Sequence, residues 1–214
     1  MYGAYDMNYK KLIFPVLWEA LFILVSTFFT SYVVYEFFIF YLVLLIYFRK
    51  DFSMYEFSRN FTRGKNFWVA LLATLVVVSL VYEIRKEVIT NIFWNVVFKN
   101  LNVQMTGLFE MILYLISTVV LVPVVDELFF RKALICKKNA GLMIITTIIS
   151  VLLNSCIYGR SFAGMVESMV IIIPLTIAYL ITDNIYVPML VHLGFNLFDR
   201  IPNFVYAVAR ISMR

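Results

Sequence analysis

The most constraining feature of this chain is a series of apolar runs, each long enough to be read against the thickness of a bilayer. A helix crossing the hydrocarbon core needs about 20 mostly apolar residues. The run from Leu12 to Phe48 holds two such helices, with a break near Thr30–Tyr32. Phe67 to Tyr82 is a third, slightly short, and Gly107 to about Ile135 is a fourth. Leu142 to Tyr158, Phe162 to Ile181 and a stretch from Tyr186 through His192 follow. The moderately apolar tail from Leu197 to Ala209 fits an eighth crossing or a half-embedded helix. The expected fold is all-α: a polytopic transmembrane helix bundle with about seven or eight membrane helices. Only 14% of the 214 residues are charged, against about a quarter in a soluble domain. So few charges cannot cover a water-facing surface. Disorder is excluded by the 18% aromatic content. No repeat, low-complexity stretch or linker interrupts the pattern, so residues 1–214 read as one membrane domain.

Basic residues set the expected orientation, because cytoplasmic loops are enriched in Lys and Arg. With a cytoplasmic N-terminus, the inner segments hold Lys10, Lys11, Arg49, Lys50, Arg59, Arg63, Lys65, Arg131, Lys132, Lys137 and Lys138. The outer ones hold Arg85, Lys86, Lys99 and Arg160. Arg200, Arg210 and Arg214 fit better inside, which favours an eighth crossing. Lys10 and Lys11 precede an apolar run, but no small-residue cleavage site follows, so the first helix is read as retained. The net charge of +5 is dispersed at helix ends, which suits lipid headgroups and not nucleic acid. Val88, Ile89, Ile92, Phe93, Val96 and Val97 form a stripe at helical spacing that suggests a helix lying in the interface. Asp51 to Lys65, which mixes aromatics with charges, suggests another.

Ionisable groups at membrane depth are costly and usually face the protein interior. Glu19, Glu110 and Glu167 lie close enough to helix ends to reach the headgroups. For Asp126, Glu127 and Arg131, charge alone leaves two readings open: a helix-end ion pair beside the Lys137–Lys138 loop, or a buried functional site. Glu127 and Arg131 are four residues apart, so they share a helix face and can pair, while Asp126 points to a different neighbour. Pro123, one turn earlier, frees backbone groups near these acids. His192 and Asn196 are also four apart and face the same way, and Gly194 between them suits close approach of another helix. Two helices carrying polar pairs in so apolar a chain point to a shared buried site.

In this order, these residues resemble the CAAX-protease and bacteriocin-processing (CPBP, or Abi) family of intramembrane endopeptidases. That family carries a motif EExxxR, a second FxxxH and a third HxxxN or HxxxB, each on its own membrane helix. Here the first corresponds to Asp126, Glu127 and Arg131, preceded by Pro123. The third corresponds to His192 and Asn196, preceded by Pro188. The second aligns on Asn154 to Tyr158, with Asn in place of Phe and Tyr in place of His. The resemblance spans roughly 107–196. It implies that Asp126 and Glu127 activate water, that Arg131 holds the carboxylates, that Tyr158 orients, and that His192 and Asn196 bind the oxyanion. Asp is one methylene shorter than Glu, and a phenol with a pKa near 10 is a poor base at neutral pH.

Two functions follow from the resemblance. One is an endopeptidase acting on peptides or membrane-proximal tails from the cytoplasmic side, in bacteriocin processing or self-immunity. The other is a pseudoprotease that binds a peptide or membrane partner without cutting. A small transporter would need a continuous polar pathway, and the sequence has one polar cluster. One His, with Cys136 and Cys156 both in apolar runs, makes a poor zinc ligand set, so no metal or other cofactor is expected. Cys156, in the second-motif segment, reads as a buried inert thiol, with a thiol facing the cavity as the alternative. Abundant Phe, Tyr, Ile and Asn fit an AT-rich bacterial genome, and hence a bacterial plasma membrane.

Overall fold

The computed structural model describes residues 9–62, 64–92, 99–105 and 107–212. Among these the regular elements are helical. They are α1 (Tyr9–Phe28), a 3₁₀ turn (Thr30–Tyr32), α2 (Val33–Phe48), α3 (Met54–Thr62), α4 (Lys65–Ile92), α5 (Leu108–Ile116), α6 (Val122–Asp126), α7 (Ala140–Tyr158), α8 (Phe162–Thr182) and α9 (Tyr186–Ser212). Wide π turns at Ser117–Leu121 and Glu127–Ala133 flank α6, so Leu108–Ala133 forms one interrupted membrane helix. Six helices among the described residues are long and apolar enough to cross a membrane. The chain is a multi-pass, all-α membrane protein.

Several expected boundaries move. The 3₁₀ turn falls where the first long run was expected to break. The third span is much longer than its apolar run, because α4 continues unbroken to Ile92. Val88, Ile89 and Ile92 therefore extend a membrane helix and start no separate interfacial one. Phe93, Val96 and Val97, like Arg63 and Arg214, lie outside the described residues. The stretch from Tyr186 and the tail are one helix, α9, with Pro202 inside it. No turn sends the tail back, so Arg200 sits at the opposite end of the bundle from Lys137. Asp51 to Lys65 does contain a short helix, α3.

Side chains sort as a bilayer requires. On α4, Val69, Leu72, Val76 and Leu80 are exposed on the lipid side. Phe37, Phe40, Tyr41, Leu44 and Phe48 of α2 pack on Val125, Leu128 and Phe129 in the centre. The two π turns follow from local chemistry. In the first, Val122 N–H reaches back five residues to the Ser117 carbonyl. The next carbonyl, Thr118, would look to residue 123, which is Pro and has no N–H. In the second, Leu134 N–H bonds Phe129 O and Ile135 N–H bonds Arg131 O, which passes over the Phe130 carbonyl. Ser150 Oγ of α7 donates to it. Polar side chains of neighbouring helices take up the backbone groups that the turns release.

The α7–α8 turn is tied to the segment before α5. Leu101 N–H donates to Tyr158 O at 2.7 Å, and Arg160 N–H donates to Lys99 O at 2.7 Å. A Cβ on Gly159 would lie 2.3 Å from the Met165 backbone nitrogen. One on Gly164 would lie 2.5 Å from Lys99 O. Arg160 donates to Ser26 Oγ of α1 at 2.7 Å, and its partial burial lowers its pKa from the ordinary guanidinium value. Gly159→Ala is therefore expected to cost about 1–3 kcal/mol through forced overpacking. Gly141→Ala, whose Cβ would meet only Asn139 Oδ1 at 3.6 Å, is expected to leave the thermal midpoint in detergent unchanged or raised.

Candidate active site

Asp126 ends α6 and is buried, 1% exposed. Its Oδ1 accepts from Tyr41 Oη of α2 at 3.0 Å, and its Oδ2 accepts from Tyr158 Oη of α7 at 2.9 Å. The two phenol oxygens are 2.7 Å apart. Three polar groups from three helices thus close a ring inside an apolar core. Tyr41 is not among the residues that the sequence motifs single out. The signal was there: Tyr favours the interfaces of a membrane helix, yet Tyr41 sits at mid-span, where its hydroxyl needs a buried partner.

Glu127, one residue on, faces the other way and is fully buried. Its Oε1 lies 3.3 Å from Arg131 Nη1 and 3.3 Å from His192 Nδ1. Arg131 is fully buried as well and reaches the Ile172 carbonyl of α8 at 3.5 Å. With Nδ1 engaged by a carboxylate, His192 is held in one ring orientation and its Nε2 is free for another partner. Asn196 Nδ2 donates to Thr118 O at 2.8 Å, the carbonyl that Pro123 leaves without a backbone donor. Gly194 plays no part in close packing, since a Cβ there would meet nothing within 4 Å.

A cavity of about 450 Å³ runs past Asp126, Tyr158, His192 and Asn196. Glu127 and Arg131 do not line it; they stand behind His192. Four of the six expected site residues therefore share one cavity and two form its buried support. The cavity leads to Arg85, Asn100, Glu167 and Arg200, all at the end of the bundle that carries the α7–α8 turn. Lys132, Lys137 and Lys138 are at the other end.

The three outlying acids also find their places. Glu110 accepts from Tyr35 Oη at 3.2 Å, and Glu167 accepts from Asn100 Nδ2 at 2.8 Å. Glu19 does not reach the headgroups: it is 1% exposed, and neither carboxylate oxygen has a hydrogen-bond partner among the described residues. Cys136 is buried, Cys156 is half-buried, and both are free thiols. Among the described residues, no group of three His, Cys, Asp or Glu side chains is arranged to hold a metal ion.

Residues 108–198 match the family model described as Rce1-like, the Type II CAAX prenyl endopeptidase Rce1-like family. The match begins at α5 and ends two residues after Asn196, so it contains every candidate site residue named from the sequence. No curated protein and no solved structure matches the chain significantly.

The Glu127–Arg131 pair has a measurable consequence. Removing one partner of a fully buried ion pair strands the other and costs about 3–5 kcal/mol. Arg131→Met is expected to lower the thermal midpoint sharply. Adding Glu127→Gln to it is expected to restore part of the loss, which a double-mutant cycle measures.

Proposed function

With residues 108–198 Rce1-like in kind, we propose that the chain is a CAAX-protease-like intramembrane endopeptidase. It acts on peptides or membrane-proximal tails, and residues 1–214 work as one membrane domain. The observation that carries this reading is the convergence of Asp126, Tyr158, His192 and Asn196 on one cavity. In this scheme Asp126 takes a proton from a water as that water attacks the scissile carbonyl. The same carboxyl then returns the proton to the departing amine. A carboxylate offers about four lone-pair sites, so the two tyrosine bonds leave room for the water. Tyr158 orients the water, and Tyr41 holds the carboxylate. The second Nδ2 hydrogen of Asn196 donates to the oxyanion, and His192, in the form that carries a proton on Nε2, donates beside it; preorganised donors act most strongly there. Glu127 orients His192, and Arg131 holds Glu127.

The basic residues at one end of the bundle support an orientation. Lys10, Lys11, Arg49, Lys50, Arg59, Lys65, Lys132, Lys137 and Lys138 favour a cytoplasmic N-terminus in a plasma membrane. The cavity mouth then opens away from the cytoplasm, and substrates arrive from the outer face. This differs from the cytoplasmic entry that the family resemblance implies. It also suits self-immunity against an external bacteriocin. The occupation of both Asp126 oxygens by tyrosine hydroxyls favours a second reading, a peptide binder that does not cut.

Cleavage of fluorogenic peptides by the protein in lipid nanodiscs separates these readings. Asp126→Asn is expected to reduce cleavage by about 100-fold or more. Tyr158→His is expected to raise it, and a strong chelator is expected to leave it unchanged. Binding without cleavage by the unmodified protein supports the binder. For orientation, Asn102→Cys or Lys138→Cys is placed in a background with Cys136→Ser and Cys156→Ser. On intact cells a membrane-impermeant maleimide is expected to label the first and spare the second; the reverse pattern overturns outward opening.

A further inference from the structure

We propose that Asn100, Asn102 and Asn154 form a subsite that grips the backbone of an extended peptide. The inference rests on the peptide-acting reading above and adds how the peptide is held. Lys99 to Met105 is not helical, and Asn100 forms an antiparallel bridge with Gly159. Its two ladder bonds use Lys99 O and Leu101 N–H. Successive residues of an extended chain present their backbone groups to opposite edges. Asn100 and Asn102 therefore turn their N–H and C=O groups to the edge away from the α7–α8 turn. Among the described residues, none of these four groups has a hydrogen-bond partner, and both residues are exposed. The edge is held in place by Gly159 and Gly164, where a Cβ would collide with backbone, and by the Asn100–Glu167 bond. Asn100, Leu101 and Val103 line the cavity that contains Asp126.

Asn154 provides an independent observation. It lies one turn before Tyr158 on the same face of α7 and lines the same cavity. It is 1% exposed, and neither its Oδ1 nor its Nδ2 has a partner among the described residues. A buried amide left unsatisfied is costly and rare. A primary amide carries the donor and acceptor complement of a peptide group, so a peptide backbone satisfies both atoms at once. The free edge offers the same complement at strand spacing, which is the basis of recognition by strand addition. A helical segment keeps its backbone groups to itself, and a lipid tail has none. The subsite therefore selects an unwound peptide and feeds it toward Asp126, next to which Tyr158 links the edge to the site.

The test uses a fluorescein-labelled peptide of alternating leucine and alanine, with single N-methyl groups moved along it. Binding to the full chain in nanodiscs is read by anisotropy. N-methylation at alternate positions is expected to weaken binding about five- to tenfold, with little effect at the positions between, as loss of one hydrogen bond at a time predicts. Asn154→Leu and Asn102→Pro are each expected to weaken it to a similar degree, whereas Asn102→Ala, which keeps the N–H, is not. Because the methyl scan is done on the unmodified protein, it does not depend on the variants folding. Binding with a flat methylation profile overturns the subsite and leaves the peptide-acting reading standing. Absence of binding by any of the peptides overturns that reading and the subsite with it.

Discussion

The structure depends on the cost of keeping three charged side chains, Asp126, Glu127 and Arg131, out of water. Burying even one unpaired ion in hydrocarbon costs several kcal/mol. The interrupted Leu108–Ala133 helix carries all three, and each is met by a different part of the bundle. Tyr41 and Tyr158 meet Asp126 from α2 and α7. His192 meets Glu127 from α9, and the Ile172 carbonyl of α8 meets Arg131. Helices that have little hydrophobic reason to associate within lipid thus gain polar reasons to do so.

The π turns belong to the same economy of polar groups. Each widens the helix and leaves one carbonyl without a backbone donor. Asn196 and Ser150 supply the missing donors from α9 and α7. Pro123 is the covalent origin of the first of these arrangements. Asn196 is therefore positioned by an irregularity in another helix, and it arrives with one amide hydrogen still available toward the cavity.

Much of this was legible beforehand. The apolar runs marked the membrane helices, because only backbone-satisfied helices of sufficient length suit the bilayer. The i, i+4 spacings of Glu127–Arg131 and His192–Asn196 marked a polar site, because one turn of helix fixes a shared face. Boundaries were less legible where polarity rose gradually: α4 runs on to Ile92 and α9 absorbs the tail, since helical hydrogen bonding does not stop when hydropathy falls. Glu19 departs from its expected place at the headgroups for a related reason. Distance from a helix end does not tell whether neighbouring helices bury the side chain.

The sequence by itself determined the solvent of this protein, its helical class and the four-residue spacings that put polar side chains on common faces. These are properties of composition and of local geometry, which every residue carries wherever it is placed. Only the tertiary structure decided that Asp126 faces Tyr41 and Tyr158 while Glu127 turns to His192, and that the cavity opens at the end bearing Asn100. Such pairings join residues 32 to 85 positions apart, and helix rotation and tilt, which set them, arise from the packing of the whole bundle. The single histidine shows the division. Its spacing to Asn196 was written in the chain, but its held orientation exists only because a buried carboxylate from another helix meets its Nδ1.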